Sequence, residues 1–319
     1  MSRIVTDGRS ANLSGFADLL AGDQIAGTRA YQEDDFRITG YPDRDPDGCD
    51  LLLVVADGMG GHRGGARASR LAVSTFVDTF GQATGGVAAR LRASLDAANN
   101  AIGRCAAEDV QYAGMGCTLA ACVVTDDAAA HWISVGDSPL WRLRSGDDGG
   151  MHRLNADHSM RPVLEDLVRL GRMTEEEIQE GATHQLRSAL TGEKLSLVDE
   201  AAPPVPLAVG DGIVLASDGL ETLPEDEIRR LCAACRTSAA VMVSTLLEAV
   251  EEVNKPSQDN ATVIVYRHVA AAAVRSRFEH RAATTRPISK RRRRDAAEVS
   301  RRTPMRAGGG RAAAVRRSP

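Results

Sequence analysis

Aromatic residues are scarce in this chain: Phe, Tyr and Trp together make up 3% of its 319 residues. That scarcity argues against a platform for single-stranded nucleic acid, which stacks bases on exposed rings. Long apolar runs are missing too. The longest, such as Leu51 to Ala56 and Ile213 to Ala216, are strand-sized and fall short of the roughly 18 residues that span a bilayer. The first twenty residues carry Asp7 and Asp18 and no uninterrupted apolar core of signal-peptide length, so a cytoplasmic protein with no membrane span is expected. Six cysteines (Cys49, Cys105, Cys117, Cys122, Cys232 and Cys235) form no second matching pair. Cys232 and Cys235 make a CxxC in a helix-like stretch with no Cys or His at zinc-finger spacing, and they read as buried thiols rather than a metal or redox site. No repeat at solenoid periods is visible.

What is present is an ordinary globular composition, 43% hydrophobic and 26% charged, in a chain long enough to bury a large core. The formal net charge of -4 hides two unlike parts. From Ala270 to Pro319 there are 15 Lys and Arg against 3 Asp and Glu, leaving 24 against 40 in residues 1 to 269. The body is therefore acidic, at -16, and the tail basic, at +12. The tail, rich in Ala, Arg and Gly, has one bulky aromatic, Phe278. Such a segment buries too little apolar area to offset chain entropy, so disorder is expected. Its basic residues suit salt-dependent contact with nucleic acid, anionic lipid or an acidic protein, or simply a solvated arm. The expected division is an N-terminal extension over 1–23, an acidic body over 24–269 and the tail over 270–319.

Apolar, β-branched runs bounded by Asp and Gly predict strands at Leu51–Ala56, Leu119–Thr125, His131–Val135, Trp141–Arg144, Gly212–Ser217 and Ala261–Tyr266. Helical spacing predicts helices near 66–80 and, from Val87, Leu91, Leu95, Ala98 and Ile102, over 87–106. Two more are expected at 224–235 and 237–253. The polar stretch 159–184 is helix-prone, and Thr174 with Glu177 predicts a capping box there. Strands grouped together and helices in pairs imply an α+β fold with antiparallel sheets.

The chemistry is carried by Asp residues at strand ends. Asp57 ends one apolar run and Asp218 another, each followed by Gly, while Asp137 follows Ile-Ser-Val-Gly and Asp259 precedes Ala-Thr-Val-Ile-Val. Taken singly, an Asp-Gly pair is a hairpin turn more often than a ligand. In antiparallel sheets the end of one strand lies beside the start of its neighbour, so all four carboxylates can meet at one rim. Gathered there they would repel and raise one another's pKa unless cations sat among them. An all-oxygen set favours Mg²⁺ or Mn²⁺, and its size suits two ions.

The order of the surrounding motifs resembles the metal-dependent protein phosphatase 2C (PP2C, PPM) family of serine/threonine protein phosphatases. The resemblance rests on Arg29-Ala30-Tyr31-Gln32-Glu33-Asp34, Asp57-Gly58-Met59-Gly60-Gly61-His62, Gly116-Cys117-Thr118, Gly136-Asp137-Ser138, Asp157-His158-Ser159, Ser217-Asp218-Gly219 and Asp259-Asn260-Ala261-Thr262. It implies an antiparallel β-sandwich flanked by pairs of helices, with an αββα layering and a flap over about 159–185. It also implies roles: Asp57 bridging two metal ions, the Gly58 carbonyl on one of them, and Asp218 and Asp259 completing the other. Glu33 and Asp34 would hold metal-bound waters, Asp137 with Asp218 a weaker third ion, and Arg29 the substrate phosphate.

The activity implied is hydrolysis of phosphoserine and phosphothreonine in proteins, the substrates of Ser/Thr kinases, by a hydroxide shared between two Mg²⁺ or Mn²⁺ ions, without a phosphoenzyme. His62 would protonate the leaving alkoxide, and His158 reads as structural. The chain departs from the family pattern at Gln32, Pro139 and Arg187-Ser188-Ala189-Leu190-Thr191-Gly192, which touches the third metal and the substrate groove, not the proposed ligands. Competing readings are a non-catalytic phosphatase-like module that binds phosphoproteins, and a phosphatase restricted to an anti-anti-sigma-type regulator. A monomer is expected.

Overall fold

The computed structural model describes residues 18–45, 48–60, 63–146, 150–179 and 181–270, with backbone alone at 42–45, 48, 49 and 63. Both the tail and most of the expected N-terminal extension lie outside the described residues. In chain order the strands are β1 (Leu20–Ile25), β2 (Asp35–Asp45), β3 (Gly48–Ala56), β4 (Gly58–Met59), β5 (Gly116–Cys117), β6 (Leu119–Val124) and β7 (Ala129–Val135). They continue with β8 (Leu140–Leu143), β9 (Met151–Arg153), β10 (Asp199–Glu200), β11 (Val205–Pro206), β12 (Gly212–Ala216) and β13 (Ala261–Arg267). The helices are α1 (Arg63–Gln82), α2 (Val87–Glu108), α3 (Arg161–Arg169), α4 (Glu225–Ala234) and α5 (Ala239–Val253).

Two antiparallel sheets stack face to face. One runs β1-β13-β12-β8-β9 and the other β10-β7-β6-β3-β2, with β11 also on β7. Successive side chains on a strand point to opposite faces, and here both faces are covered. Leu53 and Val55 of β3 meet Ile213, Leu215 and Ile264 of the facing sheet in the middle layer, whereas Leu52, Val54 and Ala56 pack under α1 and α2. On the other outer face Val214, Val263 and Val265 pack under α4 and α5. Burial on both faces is why these strands read as unbroken apolar runs. The αββα layering expected from the sequence is the fold observed.

Of the strands longer than two residues, three have no counterpart in the sequence reading. β1 (LAGDQI) carries Gly22 and Asp23, and β9 has only three residues. The sequence of β2 includes Gly40 and Pro42. β1 moves the start of the body ahead of the expected boundary at residue 24, because Leu20 to Asp23 pair with Tyr266 to Val263. The capping box forms, with the Thr174 N–H donating to the Glu177 carboxylate at 2.8 Å, but it opens only a single 3-10 turn. Cys232 is buried, with its thiol pushed up to about 12 by burial, and the Cys235 thiol lies 3.6 Å from the Thr245 hydroxyl.

Candidate active site

The register of the ladders brings the motif residues to one rim. Asp35 pairs with Ala56, Val55 with Ala120, and Leu119 with Val135, so Asp34, Asp57, Thr118 and Asp137 lie at the same end of their sheet. In the facing sheet Ala216 pairs with Val263 and Ile25 with Ala261, which sets Asp218, Asp259 and the 26–34 loop side by side.

Small residues allow the approach. A Cβ on Gly219 would stand 1.9 Å from the Asn260 carbonyl oxygen, and one on Gly58 would stand 2.2 Å from that of Gly65. Neither glycine has a positive φ, so these Asp-Gly pairs are not the hairpin turns that each alone suggests. They are points where two backbones touch.

Hydrogen bonds then fix the loops. Asn260 accepts from the Glu33 N–H at 2.8 Å and donates to the carbonyls of Ala26 and Tyr31. Thr118 accepts from the Asp57 N–H through its hydroxyl at 3.0 Å, donates its own N–H to the Asp57 carbonyl, and joins Ser138 at 2.7 Å. Asp34 is 3% exposed, and one of its oxygens accepts from both Ser217 and Thr262 at 2.7 Å. These residues stand in the motifs, but their work as positioners was not legible from spacing. His184, at the end of the flap, was also passed over in the sequence. Its Nδ1 lies 3.9 Å from Asp218 Oδ2.

Electrostatics mark the cluster as short of positive charge. Burial, then the charges of Asp218 and Asp259, push Asp34 up to about 7 against the pull of its two hydroxyl donors. Burial followed by Asp218 and Asp157 pushes Asp137 up to about 7. Asp57 is raised by burial and by Asp34 and Asp218, and Asp218 by burial and by Asp259 and Glu221. Asp57 and Asp218 act on each other's titration as well.

Among the described residues no three His, Cys, Asp or Glu side chains form a ready-made cage. The donor set nevertheless fits divalent cations that prefer oxygen. Its carboxylates converge with raised pKa, and Asp34 Oδ1 is buried without a hydrogen-bond partner among the described residues. Arg29, half exposed at the rim, donates from Nη2 to Asp259 at 2.6 Å. It therefore contacts one of the proposed metal ligands. His158 is buried, and burial lowers its pKa; Nδ1 accepts from the Gly136 N–H. His62 lies outside the described residues. The other site residues expected from the sequence (Arg29, Glu33, Asp34, Asp57, Gly58, Asp137, Asp218 and Asp259) all fall at this rim.

Fold and site together define a metal-type phosphatase domain. Residues 22–257 match the family described as Protein phosphatase 2C, and the chain belongs to that family, as a PP2C-type serine/threonine protein phosphatase of bacterial type. The protein phosphatase PhpP of Streptococcus pneumoniae is 32% identical over 179 residues, 54% of this chain and 68% of that protein. The crystal structure of the Mycobacterium tuberculosis serine/threonine phosphatase PstP/Ppp matches at TM-score 0.63 and 28% identity, covering 79% of this chain and 98% of that one. The PstP catalytic domain in complex with two manganese ions matches at TM-score 0.62 and 29% identity, with the same coverage.

Proposed function

We propose that the chain hydrolyses phosphoserine and phosphothreonine in phosphoproteins with two divalent cations, Mg²⁺ or Mn²⁺, held by Asp57, the Gly58 carbonyl, Asp218 and Asp259. The observation that carries this reading is the convergence of Asp34, Asp57, Asp137 and Asp218 at one rim, each with a pKa raised by burial and neighbouring charge. Bound cations would neutralise these carboxylates, draw charge from phosphoryl oxygens and lower the pKa of water toward neutrality, so that water attacks phosphorus directly. The PstP domain with two manganese ions supports that number and class of ion.

The residues of the chain have the remaining tasks. Glu33 and Asp34 would orient water at the cations, Asp34 itself being held by Ser217 and Thr262. Asp137 with Asp218 would hold a third cation more weakly. Arg29 turns its planar fork of N–H donors toward the phosphoryl oxygens; only its Nη2 is drawn on by Asp259. His62 donates a proton to the leaving seryl or threonyl oxygen, a contribution of about 10² to 10⁴ in rate.

Among the described residues no helix is long and apolar enough to cross a membrane, and the five described cysteines are free thiols. The thiols fit a reducing, cytoplasmic compartment.

Phosphate release from a phosphothreonine peptide tests the reading. Turnover is expected with Mn²⁺, with a loss of at least about 100-fold in EDTA or in Asp218→Asn. The same Mn²⁺ should raise the melting temperature of the wild-type chain and not that of the variant, since a ligand that binds only the folded state stabilises it. Equal rates under all three conditions would remove the metal-dependent reading.

A further inference from the structure

The flap helix α3 is weakly packed. Leu164 is its only buried residue. Beneath its N-terminal end lies a cavity of about 380 Å³, lined in part by Trp141, Pro162, Leu223 and Ile228. Backbone bonding ties the flap base to itself, through the bridge of Ser159 with Leu186 and the bonds of Met160 to Gln185 and Arg187 to His158. Beside the packing of Leu164, ion pairs tie the helix to the body across the cavity. Glu221 accepts from Arg161 Nη1 through Oε2 at 2.5 Å and from Arg153 Nη1 through Oε1 at 3.2 Å. Its side chain is 16% exposed, so water screens these bonds only in part.

Each member of this cluster reaches a different part of the site. Arg161 opens α3. Arg153, at the end of β9, donates from Nη2 to the Asp137 carbonyl at 2.6 Å and stands 3.8 Å from Asp157. Glu221 belongs to the same 3-10 turn, 218–222, that Asp218 opens. One carboxylate thus links the flap helix, the backbone of Asp137 and the turn that carries Asp218.

We propose that Glu221 is a positioning residue: by holding Arg161 and Arg153 together it sets where the flap stands over the site and so governs how a phosphoprotein seats there. The substrate class rests on the phosphatase reading above; the ionic latch does not. On this proposal a phosphopeptide is long enough to meet the flap and a small aryl phosphate is not. Severing the latch should therefore show in KM for a phosphopeptide and leave kcat for the aryl phosphate largely alone.

The test uses the full chain as wild type, Arg161→Ala, Glu221→Ala and the double variant. Amide hydrogen exchange over 163–169 should quicken about fivefold in either single variant and no further in the double, because each alone already removes the bond between Arg161 and Glu221. With Mn²⁺, KM for a phosphothreonine peptide should rise about fivefold in each, with kcat for the aryl phosphate within about twofold of wild type in Arg161→Ala, which leaves the bond of Glu221 to Arg153 in place. Arg161→Lys, which keeps the charge, should restore most of the exchange protection, and Glu221→Gln replaces Glu221→Ala if the latter fails to fold. Unchanged exchange in the Glu221 variant, effects that multiply in the double variant, or an equal fall in kcat for both substrates would overturn the proposal. If wild type shows no Mn²⁺-dependent turnover, the phosphatase reading fails while the exchange comparison still decides the latch.

Discussion

Strand β12 has an aspartate at either end, and the two are held in opposite ways. Burial pushes Asp211 up, but the N–H groups of Ser145 and Ala208 and the guanidinium of Arg142 outweigh it and hold the carboxyl below its usual range. Asp218, seven residues further along the chain, faces carboxylates instead and is raised. The first is therefore an anchor and the second a candidate ligand. Since Asp211 has a depressed pKa in the folded state, its stabilisation is fully present above the unfolded value of about 3.9 and is lost as pH falls through the folded value. Replacing it by Ala should cost about 2 to 3 kcal/mol at pH 7, because Arg142 is left without its buried partner, though partly wetted. In urea melts the gap between Asp211→Ala and wild type should narrow below about pH 4. A gap that is unchanged down to pH 2 would refute this account. Aryl phosphate turnover should be unaffected at pH 7.

At the scale of elements, legibility followed burial. β3, β6, β12 and β13 are covered on both faces, so their sequences are nearly continuous apolar runs that no helix period fits. α2 was equally plain, since Leu91, Leu95, Ala98 and Ile102 form its buried stripe. The Asp positions could be read because each abuts such a strand. Their supporting partners could not: Asn260 reaches Glu33 across 227 residues and Thr262 reaches Asp34 across 228, distances at which spacing carries no signal. β1 was missed for a different reason. It is an edge strand whose Gly22 lies against Phe36, Ile38 and Ile264, where a side chain has no room. Its loss has a measurable cost. Leu19 and Leu20 are almost fully buried, the Leu19 carbonyl accepts from Arg267, and the Asp18 carbonyl accepts from Ala239 at the start of α5. Burying a Leu contributes about 1.5 to 3 kcal/mol. A chain begun at Gln24 should therefore be less stable by about 4 kcal/mol than one begun at Asp18, read as a fall in the urea midpoint. Equal midpoints would show that β1 contributes no stability.

For the whole molecule, the -4 of the sequence is a cancellation between a body at -16 and a tail at +12. Six of the body's acidic residues, Glu33, Asp34, Asp57, Asp137, Asp218 and Asp259, are proposed to serve cations, and two divalent ions would offset four of those charges. The loaded body would still be acidic. Among the described residues the two stacked sheets, five helices and the rim are built from residues 18 to 270, and three apolar clusters form within them. Removing 271–319 should then leave the melting temperature and the kcat for a small aryl phosphate within error of the full chain. Any effect should appear with charged macromolecular substrates and should fade as salt shortens the screening length from about 10 Å at 0.1 M to about 3 Å at 1 M. Turnover of an acidic phosphoprotein by the full and truncated chains, compared at 0.05 M and about 0.5 M salt, separates the two readings of the tail. A KM advantage of the full chain that disappears at high salt would show the tail as an electrostatic arm. Identical KM at both salts would show a solvated segment, and a lower aryl phosphate kcat in the truncated chain would refute the separation of body from tail.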